Sequence, residues 1–183
     1  MQLVPTAIPD VKILVPKKLG DHRGVFSETY SRKTFRDFGI DVEFVQDNHS
    51  LSAQKGVVRG LHYQIQPAAQ AKLVRVVRGA ILDVAVDVRR GSPSFGKHVA
   101  DVISAQNWKQ IFVPVGFAHG FVTLESNTEV VYKVSNYYSP AHDRGILWND
   151  PALGIDWGVS PAEAVLSEKD RKNPTLADAK ELF

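Results

Sequence analysis

The chain has 183 residues, 44% of them hydrophobic, enough to bury one full core. Its 22 basic and 20 acidic side chains leave a formal charge of +2, which excludes a general affinity for nucleic acid or membrane surfaces. The absence of cysteine excludes disulfide scaffolds, thiol catalysis and thiolate metal sites.

The N-terminal run MQLVPTAIPDVKILVP carries prolines and charges where a secretory signal needs a basic start and an unbroken apolar stretch. No later run approaches the length of a membrane span, so a cytoplasmic protein is expected. SRKTFRDFG predicts a short helix, capped by Ser31 and ended by Gly39. In VVRGLHYQ (residues 57–64), Arg59, Gly60 and His62 interrupt an otherwise apolar strand.

From residue 72 the pattern has period two, in short runs parted by turn residues. KLVRVV, a turn at Arg78-Gly79 and AILDVAVDVR come first; HVADVIS, KQIFVPV, FVTLE and EVVYKVSNYY follow. These predict hairpin strands of a sandwich or barrel. Along AILDVAVDVR, one face carries Leu82, Val84, Val86 and Val88 for the core, and the other carries Ile81, Asp83, Ala85, Asp87 and Arg89. In a barrel that second, polar face would line a pocket. SPAEAVLSEKD predicts a helix with Ser160 as cap, Pro161 at its first position and Glu163 completing a capping box, and TLADAKELF a last short one. With no repeat, low-complexity tract or linker, residues 1–183 are expected to form a single domain.

VPVGFAHGF has the spacing Pro114-x-Gly116-x-x-His119, a tight turn that presents a second histidine at a strand start. It resembles the second sequence motif of the cupin barrels. Metal-binding cupins combine such a histidine with a His-x-His pair and a glutamate. Here His62 is followed by Gln64, and the only glutamate between Tyr63 and Thr128 is Glu125. Two good ligands remain, and no metal is expected.

The resemblance then narrows. FSETY, FVQDNHS, GVVRGLHYQ, AKLVRVVRGAILDVAVDVRRGSPSFGK, VPVGFAHGF, YKVSNYYSP, DRGILWNDPALGIDW and LSEKDRKNPTLADA, in that order and over nearly the whole chain, are similar to the dTDP-4-dehydrorhamnose 3,5-epimerase family. The resemblance implies a mainly β fold, a cupin-type double-stranded β-helix or jelly-roll barrel with a few short peripheral helices. It implies a dTDP-4-keto-6-deoxyhexose substrate, no cofactor, and a homodimer with exchanged N-terminal strands. The C3 and C5 hydrogens of such a sugar flank the C4 ketone, so a base can remove either to leave an enolate, and an acid can return a proton from the opposite face.

By this resemblance His62 is the general base, since an imidazole with a pKa of about 6.5 suits proton abstraction near neutrality. Asp170 would orient it, with Asp83 a second candidate for that role. Tyr132, on one strand face with Val130 and Val134, matches the proton donor, and Lys72 would face the C4 oxygen. With no glycine-rich phosphate loop present, Arg23 and Arg59 match positions that contact the nucleotide. Glu28, Gln46, Asp47, Asn48, His119 and Lys169 are further implied substrate contacts, and Phe26 and Tyr138 implied partners of the thymine ring. Asp143 stands where the family commonly has glutamate. From the residues alone, Gln46-Asp47-Asn48 is an ordinary turn. Three alternatives remain: an epimerase inverting one carbon only, a metal-dependent cupin, and a non-catalytic sugar-nucleotide-binding barrel.

Overall fold

The computed structural model describes residues 1–183. The chain begins with β1 (Gln2–Val4), β2 (Lys12–Val15), β3 (Leu19–Asp21), β4 (Gly24–Phe26) and helix α1 (Arg32–Asp37). β5 (Gln46–Ser52), β6 (Val58–Gln64), β7 (Lys72–Arg78), β8 (Ala80–Asp87) and β9 (His98–Ser104) follow. β10 (Gln110–Val113), β11 (Phe117–Thr123), β12 (Thr128–Val134), β13 (Asp143–Gly145) and helix α2 (Glu168–Arg171) complete the order.

Two antiparallel sheets form, one in the order β1-β2-β10-β7-β12-β5, the other β13-β6-β11-β8-β9. β3 and β4 pair only with each other. The inner faces of both sheets meet in one core that includes Ile13, Val74, Val76, Ile81, Ala85, Ile103, Ile111, Phe121 and Val130. This is the jelly-roll barrel of the cupin type.

β7 and β8 were expected as a hairpin, but they lie in different sheets. Gly79 between them has φ 76° and packs against Thr128, so the chain turns a barrel corner there instead of folding back on itself. The two faces of β8 also differ from expectation, because both are buried. Val84 and Val86 lie in a second core on the outside of their sheet, covered by Ile146, Trp148, Leu153, Trp157, Leu176 and Ala179 of the C-terminal segment. Ile81, Asp83 and Ala85 point into the barrel. On the outer face of the six-stranded sheet, α1 packs Phe35 against Leu14, Ile40, Leu73 and Phe112, and its Ser31 cap accepts a bond from the Thr34 amide.

The helix expected after Ser160 does not form. Its capping contact is made, with the Ser160 amide donating to Glu163 Oε2 at 3.0 Å, but the chain leaves after one turn. Val165 pairs in parallel with Val57, its amide donating to Gly56 O and its carbonyl accepting from Val58. Long-range pairing wins over the local cap. The last expected helix is likewise a single turn at Thr175–Asp178, after which the chain runs on to Phe183, whose amide bonds Val88 O. Residues 46–48, taken for a turn, open strand β5, and EVVYKVSNYY leaves its strand at Val134.

Candidate active site

Strand alternation brings chemistry inside the barrel wherever a polar residue takes an inward position. Lys72 shares the inner face of β7 with Val74 and Val76, Tyr132 that of β12 with Val130, and Asp83 that of β8 with Ile81 and Ala85. β6 needs a local device to do the same. Val58 and Leu61 both belong to the outer core, whereas Arg59 and His62 both line the interior cavity. A register shift between β6 and β11, with Gly60 at φ 128°, resets the alternation between them. A Cβ on Gly60 would lie 2.5 Å from Gly120 Cα, so only glycine permits the strands to approach there.

The resulting cavity, about 520 Å³, is lined by Ser50, Arg59, His62, Lys72, His119, Phe121, Tyr132, Lys169 and Asp170, among others. A smaller one of about 180 Å³ shares His62, Lys72 and Tyr132 with it and adds Gln46, Asn48, Tyr138 and Asp143. His62 Nε2 lies 2.5 Å from Asp170 Oδ1, and Asp170 is buried. Burial works against the Asp170 charge, but hydrogen bonds from His62, Ser167 and the Gly60 backbone outweigh it and hold the carboxyl below its usual range. With Nε2 committed, the base lone pair of a neutral His62 is on Nδ1, which has no partner in the protein.

Lys72 Nζ donates to the His62 carbonyl at 3.4 Å. Burial lowers its pKa to about 8, partly opposed by the charges of Asp143 and Asp83. Burial pushes the Tyr132 phenol up, opposed by Arg59, so it holds its proton at neutral pH. A base on a fixed carboxylate, a buried cation and a protonated phenol thus surround one space. That set can remove a carbon-bound proton, stabilise an enolate and return a proton.

The family model for dTDP-4-dehydrorhamnose 3,5-epimerase matches residues 5–178. The chain belongs to this family. It is 55% identical to the dTDP-4-dehydrorhamnose 3,5-epimerase of Sinorhizobium fredii over 94% of this chain and 88% of that one. A crystal structure of the Bacillus anthracis enzyme with TDP and pyrophosphate bound superposes with a TM-score of 0.92, at 48% identity, over 95% of this chain and 98% of that one. The Legionella pneumophila enzyme, in complex with dTDP-4-keto-L-rhamnose, gives 0.93 at 44% identity, over 98% and 94%.

Of the residues matched to this family from sequence, the barrel brings His62, Lys72, Tyr132, Asp170, Arg59, His119 and Lys169 to the main cavity and Gln46, Asn48, Tyr138 and Asp143 to its neighbour. Arg59 is held by Nε to Ser52 Oγ at 3.3 Å. Asp143 accepts from Tyr138 at 3.1 Å and contacts Lys169, so the shorter carboxylate is anchored within the chain. Asp83, the second candidate for orienting His62, instead holds His119, each carboxylate oxygen 2.9 Å from Nε2.

Four of the matched residues stand apart from both cavities. Asp47 takes the outward phase of β5 and pairs with Lys133 at 2.9 Å. Arg23 is an exposed ion-pair partner of Asp21 at 2.6 Å, Phe26 is 71% exposed, and Glu28 contacts Thr34 beside α1. Arg23 and Phe26 belong to the β3–β4 hairpin segment, which no other strand joins.

Sequence reading missed Ser50. Its Oγ is buried, lacks any hydrogen-bond partner and lies at the main cavity. Its signal was the inward period-two row Gln46, Asn48, Ser50, Ser52, legible only once residues 46–52 are taken as a strand. Gln64, at the position where metal-binding cupins have histidine, donates to Ala68 O and Tyr137 O and accepts from the Ser139 amide, so it ties loops together.

Proposed function

We propose that the chain epimerises dTDP-4-dehydro-6-deoxy-D-glucose at C3 and C5 to dTDP-4-dehydro-L-rhamnose, with no cofactor. The observation that carries the reading is the His62–Asp170 pair, facing a cavity it shares with Lys72 and Tyr132. In a D-gluco chair the C3 and C5 hydrogens are both axial on one ring face, so one base serves both carbons. His62 Nδ1 takes the proton, and the C–H electron pair moves into the enolate. Lys72 stabilises the charge at the C4 oxygen, and Tyr132 delivers a proton from the other face. Exchange with solvent through the cavity resets both groups. Arg59, Lys169 and Arg23 would hold the diphosphate, and Tyr138 and Phe26 the thymine.

The protein is proposed to act as a homodimer in the cytoplasm. The β3–β4 region exposes Leu19, Val25 and Phe26, which a second protomer would cover, placing Arg23 and Phe26 at its cavity. The cysteine-free chain is in keeping with a reducing compartment.

Proton NMR of the reaction in deuterium oxide tests the activity: deuterium is expected at both C3 and C5 of the product. Deuterium at a single carbon would replace the double epimerase with a one-carbon relative. Stoichiometric metal in the active purified protein, with loss of activity on chelation, would overturn the metal-free reading.

A further inference from the structure

The His119–Asp83 pair is a second histidine–carboxylate dyad in the same cavity, and the proton transfers above make no use of it. His119 lies directly across from His62 in the β6–β11 register, so both rings project from neighbouring strands into one space. The two dyads have the same polarity: each histidine turns Nε2 to its carboxylate and leaves Nδ1 without a protein partner. They differ in burial, since the His62 side chain is 31% exposed and that of His119 8%.

Asp83 is fully buried between the inward-facing Ile81 and Ala85, and His119 is its sole hydrogen-bond donor. A carboxylate so placed costs stability relative to an apolar side chain of similar size. Core packing therefore does not explain it. Its charge favours the Lys72 ammonium, and its hydrogen bond requires a proton on His119 Nε2, so that neutral His119 presents the Nδ1 lone pair as an acceptor. Because one base reaches both C3 and C5, that acceptor is not needed for proton abstraction and is available to bind.

We propose that Asp83 is a positioning residue that fixes His119 as a hydrogen-bond acceptor for a hydroxyl of the substrate's sugar ring. The inference rests on the function proposed above: the family resemblance already implies a substrate contact at His119, and what is added is the residue that fixes the polarity of that contact. An acceptor there selects a sugar with a free ring hydroxyl and holds it opposite His62.

The test is Asp83→Asn, alone and combined with His119→Ala. The amide can donate to Nε2, which moves the imidazole proton to Nδ1 and turns the acceptor into a donor. Asp83→Asn should lower kcat/KM by about tenfold or more, the scale of one hydrogen bond to the sugar. Affinity for dTDP, which lacks the sugar, and the melting temperature should change little. In the His119→Ala background the same substitution should have a much smaller further effect on kcat/KM at a pH well below 8, where Lys72 stays charged with or without the Asp83 carboxylate.

A drop in melting temperature with kcat/KM unchanged would make Asp83 merely structural, and equal losses in both backgrounds would show that it does not act through His119; either result would overturn the proposal. Nitrogen NMR of labelled imidazoles reads the tautomer without turnover: the free protein should show His119 protonated at Nε2 and Asp83→Asn at Nδ1. An Nδ1-protonated wild type would sink the inference even if the epimerase activity is as proposed. A wild type inactive on the nucleotide sugar would sink the activity while leaving the tautomer assignment to stand or fall by itself.

Discussion

Asp83 and Asp87 lie on the same face of β8, four residues apart and both fully buried. Asp87 accepts from the Arg89 amide, Nε and guanidinium at 2.7–2.9 Å, and from the hydroxyls of Ser92 at 2.5 Å and Ser94 at 2.6 Å. Asp83 has only the His119 ring. Where donors are many and permanently charged or neutral, a buried carboxylate is locked and serves as a structural tie. Where the single donor is an imidazole, the carboxylate governs a group with a second nitrogen to spare. One strand thus carries a structural end and a chemical end of the barrel.

That contrast is open to experiment, beginning with the chemical end. Lys72→Met should lower kcat by about 10²–10³-fold, the range seen when one donor to a developing oxyanion is lost, while dTDP affinity changes little. Steady-state kinetics beside calorimetric titration with dTDP reads both. With burial lowering Lys72 to about 8, wild-type kcat should fall as pH rises through that value and the ammonium deprotonates. Tyr132, pushed upward by burial, does not supply that limb.

At the structural end the largest effect should be on stability. Asp87→Ala removes every bond just described and leaves Arg89 with Asp10, at a cost of about 3 kcal/mol in urea unfolding. The kcat of the folded protein should be nearly unchanged. Burial works against the Asp87 charge, but Arg89, Ser92 and Ser94 overcome it and hold the carboxyl well below its usual range. A depressed carboxyl stabilises the native state fully above its unfolded pKa of about 3.9 and loses that contribution as pH falls through the native value. Wild type should therefore lose more stability than Asp87→Asn between neutral pH and strong acid, measured by thermal melts across that range.

The smallest effect on the fold belongs to the detached hairpin. Phe26→Ser should leave monomer stability within about 0.5 kcal/mol, since the side chain is exposed. In the homodimer proposed above this face is covered, so sedimentation velocity should show the variant shifted from dimer toward monomer.

The sequence makes some of this legible and hides the rest for physical reasons. Period-two runs mark β7 to β12, and the Ser31 cap marks α1, because both patterns are local. The sheet change at Gly79 is hidden, since a corner and a hairpin begin with the same glycine turn. Ser160 and Glu163 mislead because a complete capping contact forms without a helix to follow. His62 and Asp170 are 108 positions apart, and no local pattern joins them; only the resemblance did. For Asp83 alternation supplies the face of the strand but not which histidine stands across from it, a choice made by strand order.

The most direct measurement is turnover of His62→Ala on dTDP-4-dehydro-6-deoxy-D-glucose, made together with its affinity for dTDP. Removing the base of the Asp170 dyad should reduce kcat by at least about 10³-fold, with dTDP bound nearly as tightly as by wild type. Turnover close to wild type, with deuterium still entering C3 and C5, would contradict the assignment of His62 as the base.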